Sequence, residues 1–287
     1  MKKVIMFVLT AMVLSSCSDF IDLKPIDFPT EETFYKDVKG LEGAVIGIYD
    51  ELQSSDQYGA KFMTLMEVRG DNVKNDNSGA SGGITYQIEV FTETPANSNL
   101  SGAWLSLYKT IYRCNLVLQN VEEVPMSDEQ RSRIAGQASF IRALCYFNLV
   151  RLWGEVPIIT KTQTVTEARN NKRAPIDEVY GQIISDLAVA KGLPAVWPES
   201  ERGRATSYAA HALLAKVYLY RKNYQEVVNE LAPVVAAIHA GKDLMLVPMP
   251  QTFPNDLKTS KDIIFAVQYL KGAPHHRFCP ADEQPLS

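Results

Sequence analysis

Apolar residues recur at three- and four-residue intervals through most of this chain, and the densest such stretch runs from Gly136 to Pro157. Ala138, Ile141, Cys145, Leu149 and Leu152 define one face, and Phe140, Leu144, Phe147 and Val150 widen it, so the spacing predicts a helix apolar round much of its girth. Such a helix must lie buried between neighbours. Gly154 and Pro157 mark its end and an extended exit. A second stripe (Trp104, Leu107, Tyr108, Ile111, Cys114, Leu118, Val121) stops before Pro125, and Ser127 with Gln130 has capping-box spacing, starting the central helix near Asp128. A long helical hairpin over about 101–153 follows. Leu41, Val45, Ile48 and Leu52 predict an earlier helix over 38–53, and Val179, Ile183, Leu187 and Ala190 a later one ending near Gly192-Leu193-Pro194.

The last pair spans 206–241. Ala209, Leu213, Ala215, Val217 and Tyr220 mark its first helix, Asn223-Tyr224 the turn, and Val227, Val228, Leu231, Val235 and Ile238 the second, which Pro233 is expected to end or kink near Ala232. Small residues on one side and a tyrosine after the turn give it a tetratricopeptide-like pattern. One such hairpin cannot bury its own face, so it is expected to stack on the 101–153 pair. The predicted class is all-α: a tetratricopeptide-like irregular α-solenoid with loop insertions and minor short strands.

The strands are expected where the period changes to two, at Ile84, Tyr86, Ile88 and Val90, and at 263–270, IIFAVQYL. Around the first lies a polar, glycine-rich loop over 70–100, and a long polar loop in a compact chain is more often functional than accidental. The segment 160–172 is a polar connection without apolar period, 199–204 another loop, and the pattern collapses after Gly272.

The N-terminus has a separate logic. Lys2 and Lys3 precede an apolar run from Val4 to Leu14, too short to span a bilayer, and then Leu14-Ser15-Ser16-Cys17, which looks like a lipobox. We expect a signal peptide over 1–16, a lipidated tether over 17–30 with Cys17 as the acylated first residue, a helical domain over 31–271 and an irregular tail over 272–287. Loss of Lys2 and Lys3 with the leader takes the net charge from −4 to −6, and no basic run exists, which argues against nucleic acid as a partner. Cys114 and Cys145 fall on separate apolar faces and are readable either as a disulfide or as two buried thiols.

Catalytic constellations are absent from the pattern: no nucleophile elbow, no phosphate loop, and no carboxylate pair that stands out from the many acidic residues. His275, His276 and Cys279 have loosely metal-like spacing but cannot specify a site, so neither metal nor cofactor is expected. Binding is the remaining reading. Sugar recognition pairs an aromatic face with polar groups that reach hydroxyls, and Arg69, Asp71, Asn72, Tyr86, Asn97 and Asn99 are the candidates for that use, whereas Trp104 and Tyr108 are expected in the core.

Several blocks, in order, resemble the SusD/RagB family of surface glycan-binding lipoproteins. They are the lipobox; Phe34 and the helix around Tyr49; the Glu67–Asn72 turn; Trp104, Tyr108, Ile111 and Asn115; Gly136, Phe140–Ala143, Tyr146, Phe147 and Gly154–Pro157; Arg173-Ala174-Pro175 with Val179-Tyr180 and Asp186-Leu187; Gly203–Thr206 with Ala209, Ala210 and Leu213; and the strand-like stretch 262–269. The resemblance implies a tetratricopeptide-based fold anchored at the outer membrane and facing the exterior, binding rather than cleavage, an oligosaccharide ligand, and a SusC-like TonB-dependent outer-membrane barrel as partner. Family chains usually run to roughly twice this length, and the tail after Gly272 does not resemble their loop-rich second half. An interrupted reading frame, yielding a non-functional fragment, or a short paralogue would account for that. The alternatives outside the family reading are a tetratricopeptide-like envelope adaptor for protein partners and, behind it, a glycoside hydrolase.

Overall fold

The computed structural model describes residues 34–70, 72–74, 79, 83–248 and 261–269. The expected leader, Cys17 and its tether, Asp71, and the tail with His275, His276 and Cys279 lie outside the described residues.

Nine α-helices occur among the described residues: α1 Val38–Leu52, α2 Lys61–Glu67, α3 Ile84–Glu89, α4 Ser98–Asn120, α5 Asp128–Trp153, α6 Val165–Arg169, α7 Ile176–Ala190, α8 Ser207–Tyr220 and α9 Tyr224–Ala240. Their ends follow local chemistry. The Ser127 hydroxyl accepts the Gln130 amide at 3.2 Å while Gln130 Oε1 accepts the Ser127 amide, also at 3.2 Å, which closes the expected capping box. Asp128 and Glu129 in the first turn of α5 and Arg151 in its last suit the helix dipole.

Helix α5 is the axis of the stack. Its residues from Ile134 to Val150 are buried with few exceptions, against α4 on one side and α7 on the other, while α1 and α2 cover α4. Gly136 explains how closely the turn after α7 approaches: a Cβ there would lie 2.8 Å from Leu193 Cδ2. The hairpin α8–α9 stacks mainly on α7, with α8 alone reaching α5. The expected stacking on the 101–153 pair is met in part, Tyr220 of α8 packing edge-on against Phe147 of α5 at 5.2 Å, while α7, burying Val179, Ile183 and Leu187, takes most of the hairpin's contact. The all-α solenoid class stands.

A polar network crosses the centre of this apolar stack. Arg142 of α5 forms a two-point pair with Asp186 of α7 (Nε–Oδ2 2.9 Å, Nη2–Oδ1 2.6 Å) and donates through Nη1 to Asn115 Oδ1 of α4 at 2.8 Å. Asn115 and Tyr146 both donate to the Ile159 carbonyl, at 2.9 Å each, and Tyr108 donates to the Pro157 carbonyl at 2.8 Å. Three helices and the exit segment after α5 are therefore tied by one chain of hydrogen bonds, the arrangement that lets a buried guanidinium persist. A second buried carboxylate, Glu51 of α1, is held by Lys109 and Arg113 of α4, at 3.1 Å each.

Other expectations change. The period-two run from Ile84 is helix α3, and the described part of the later β-type run is extended without a strand partner; the isolated bridge Val156–Ala174 is the one β pairing among the described residues. Phe265 of that later run packs edge-on against Phe140, ring centres 5.0 Å apart, so its apolar character serves the helical core. Within the polar connection, Thr164 and Glu167 form a second capping box and nucleate α6. Helix α9 continues through Pro233 to Ala240. The carbonyl that loses its partner belongs to Asn229, which is exposed and so open to solvent, while buried Val234 holds the helix on α8. Cys114 and Cys145 are buried free thiols, which decides between the two readings.

Two outcomes follow from this packing. Replacing Asp186 by Ala, which leaves the Arg142 charge buried and unpaired, is expected to cost about 3–5 kcal/mol; the joint change Arg142→Met with Asp186→Leu should recover most of it, both read by denaturant unfolding. Burial pushes the Tyr58 phenol up to about 12 and raises that of Tyr146. A phenol raised in the folded state stabilises the fold below its unfolded pKa of about 10 and loses that contribution as pH rises through the folded value. The melting temperature is therefore expected to fall progressively above about pH 10, read by circular dichroism across a pH series.

Candidate functional site

A groove of about 600 Å³ opens where the end of α5 meets the start of α4. Its walls are Leu100, Ser101, Trp104 and Leu105 from α4, Leu152 and Trp153 from α5, Arg69 just after α2, and the loop residues Glu93, Thr94 and Pro95. The Trp104 and Trp153 rings meet edge to face, centres 5.2 Å apart. Arg69 pairs with Glu93 across the groove through Nη2 and Oε1. Among the described lining residues these two are the charged ones, and their charges offset each other. Arg69 Nε and Glu93 Oε2 have no hydrogen-bond partner among the described residues. An unpaired buried polar atom costs about 1–3 kcal/mol and calls for an explanation other than stability.

A smaller cleft of about 200 Å³ lies beside Arg202, Arg204, Lys242 and Lys261. Three of its four cations are already engaged: Arg202 with Glu199, Arg204 with Glu201 and Gln137, and Lys261 with the Lys242 carbonyl. It is therefore the weaker candidate.

Of the residues singled out in the sequence, the groove takes Arg69. Asn97 serves the scaffold: 3% exposed, it caps α4 and donates to the Ile84 carbonyl at 2.8 Å and to Gln87 Oε1 at 3.1 Å. Asn99 gives its backbone amide to that same Asn97 oxygen, at 3.1 Å. Asn72 is exposed, and Tyr86 is 39% exposed on α3; neither lines the groove. Asp71 lies outside the described residues. Glu93, Trp104 and Trp153 were not among the sequence candidates. Trp104, expected in the core, is only half-buried, because the stripe of α4 turns toward the groove mouth in its first turns.

The loop that brings Glu93 to the groove begins in an unusual way. Helix α3 closes with the Thr92 amide on the Gln87 carbonyl at 2.9 Å and the Phe91 amide on the Ile88 carbonyl at 3.4 Å, a Schellman pattern. The left-handed position of that motif, at φ 55°, is held by Phe91, where glycine is the favoured residue, and Phe91 is 69% exposed. A left-handed backbone costs a residue with a Cβ about 1–2 kcal/mol, and an exposed ring regains nothing by burial.

With this geometry in hand, the comparisons with known proteins are informative. A family model described as SusD-like, starch-binding and associating with the outer membrane matches residues 19–219. A SusD-like protein of Formosa agariphila is 31% identical over 277 residues, covering 94% of this chain and 54% of the relative. A crystal structure of a SusD-like protein from Bacteroides fragilis superposes with a TM-score of 0.73 at 26% identity, covering 85% of this chain and 47% of that one. A laminarin-binding SusD-like protein gives a TM-score of 0.64 at 28% identity, covering 74% of this chain and 47% of that one. This chain spans about half the length of the curated relatives it matches. The order of its helices, the family model and these likenesses agree, and the chain belongs to the SusD-like family.

Proposed function

We propose that this protein captures an uncharged oligosaccharide in the groove between α4 and the end of α5 and passes it to a SusC-like TonB-dependent outer-membrane barrel for import. The observation that carries the reading is the joint presence of two indoles and one charge-balanced Arg69–Glu93 pair in a groove of about 600 Å³. Indole faces suit the apolar face of a pyranose, while a guanidinium donates to hydroxyls and a carboxylate accepts from them. A sulfate or uronate would gain from Arg69 and lose to Glu93, so the pair favours neutral sugars. The family description and the laminarin-binding relative support a glycan over other nutrients.

Binding rather than hydrolysis is the reading for this site. Glycoside cleavage usually takes two carboxyl groups flanking the bond, and among the described lining residues Glu93, held by Arg69, is the one carboxylate. Retention at the membrane is assigned to acylation of Cys17; no helix among the described residues is long and apolar enough to cross a bilayer. The adaptor reading draws support from one feature, the exposed apolar side chains Tyr220, Tyr224, Val228 and Val235 on α8–α9. A protein that binds envelope partners and no glycan would favour it.

Thermal unfolding with neutral and uronate-rich oligosaccharides tests the main reading. One neutral class at about a hundredfold over Kd is expected to stabilise the fold by about 2.7 kcal/mol. Arg69→Ala should weaken that binding by about tenfold or more, whereas Asn97→Ala should lower stability by about 1 kcal/mol through the lost cap and leave affinity intact. Indifference to every sugar, or preference for the uronates, contradicts it. Separately, Cys17→Ala is expected to move the chain from the membrane fraction to the soluble one, since acyl chains would be its attachment.

A further inference from the structure

Phe91 combines two properties that stability alone does not favour. Its backbone sits at φ 55°, the position of a Schellman motif at which glycine carries no steric penalty, and its side chain is 69% exposed. A large apolar ring placed in water on a strained backbone is the kind of outlier from which a functional role is inferred, because neither packing nor local conformation selects it. The other non-glycine residue at positive φ among the described residues, Lys222, is polar and turns α8 into α9, so it has an ordinary explanation.

Position adds the second argument. Phe91 opens the loop whose next residues, Glu93, Thr94 and Pro95, line the groove, and its conformation is fixed by the two hydrogen bonds that close α3. Asn97, almost fully buried, ties the far end of that loop back to Ile84 and Gln87 of α3. The loop is thus pinned at both ends, and the ring on it stands on a rigid base. An aromatic side chain loses little rotamer freedom on contact, which makes it an effective stacking surface.

We propose that Phe91 is a sugar-stacking residue, an aromatic platform on the rim that contacts an uncharged pyranose chain whose neighbouring unit occupies the Arg69–Glu93 groove. The inference rests on the glycan reading above and adds to it the residue that extends the site beyond the groove. The left-handed backbone then has a purpose, since it turns the chain sharply enough after α3 for Glu93 to reach Arg69 while Phe91 remains on the surface.

The test uses the full chain with Phe91→Gly, Phe91→Ala, Phe91→Tyr and Phe91→Trp, and as probes maltoheptaose, laminarihexaose, xylohexaose and mannohexaose, each read by calorimetric affinity and melting temperature. Phe91→Gly is expected to keep or raise the melting temperature, because glycine relieves the backbone, and to weaken binding of the preferred probe about tenfold, the loss of one good stacking contact. Phe91→Ala should bind as poorly as the glycine variant, and Phe91→Tyr and Phe91→Trp should stay within about threefold of the parent chain. Unchanged affinity in Phe91→Gly, alongside the loss expected for Arg69→Ala, overturns the role of Phe91 and leaves the groove reading standing. A glycine variant that melts earlier than the parent overturns it in favour of a packing role. A parent chain that binds none of the four overturns both.

Discussion

The pairing of Arg142 with Asp186 is the constraint around which this fold is arranged. Helix α5 is enclosed by α4 and α7, and an enclosed helix with a guanidinium at its middle has no route to water. The charge is tolerable only because Asp186 meets it at two points and Asn115 takes a third donor. Each of those partners comes from a different helix, so satisfying one side chain fixes the relative register of three. Hydrophobic contact alone would leave that register loose, since apolar stripes can slide by a turn with little penalty. Directional bonds cannot slide.

The same helix carries order from the network to the groove. Its middle holds Arg142 and Tyr146, and its last turn delivers Leu152 and Trp153 to the groove wall. Arg151, between them, lies over the Phe147 ring at 4.3 Å and donates to Asn148, whose amide in turn donates to the Tyr58 hydroxyl at 2.8 Å. The groove is therefore assembled on the most enclosed helix of the stack, with the loop 91–95, pinned at both ends, as its other side. The hairpin α8–α9 supplies none of the described groove lining and packs mainly on α7. Recognition and whatever the exposed face of α9 meets are thus served by separate surfaces.

Much of the scaffold was legible because it is periodic. The capping box at Ser127, the all-round apolar character of α5 and the small-residue face of α8 each encode their element locally. The errors have local causes too. The run from Ile84 to Val90 alternates like a strand, but among the described residues it has no strand to pair with, and Asn97 ties the helix it forms to the start of α4 through the Ile84 carbonyl and Gln87. Pro233 breaks one hydrogen bond and not the helix, because the abandoned carbonyl is on the wet side. At the groove, Arg69 was readable from its loop, but Trp104 and Trp153 sit on helical stripes, where sequence spacing cannot separate a core position from a groove wall. Phe91 carries no signal at all in the sequence: only the dihedral angle shows that it occupies a place meant for glycine.

The segment that leaves α5 has one more consequence. Val156, Ile158 and Ile159 are β-branched, and an extended run of that composition is the kind of edge onto which a strand from another molecule adds. Here four of its polar backbone atoms are already occupied from within. Tyr146 engages both the amide and the carbonyl of Ile159, Tyr108 takes the Pro157 carbonyl, and Ala174 takes that of Val156. Side chains from helices thereby do for this stretch what a neighbouring strand does in a sheet, and a sequence prone to intermolecular β-assembly is kept from templating it.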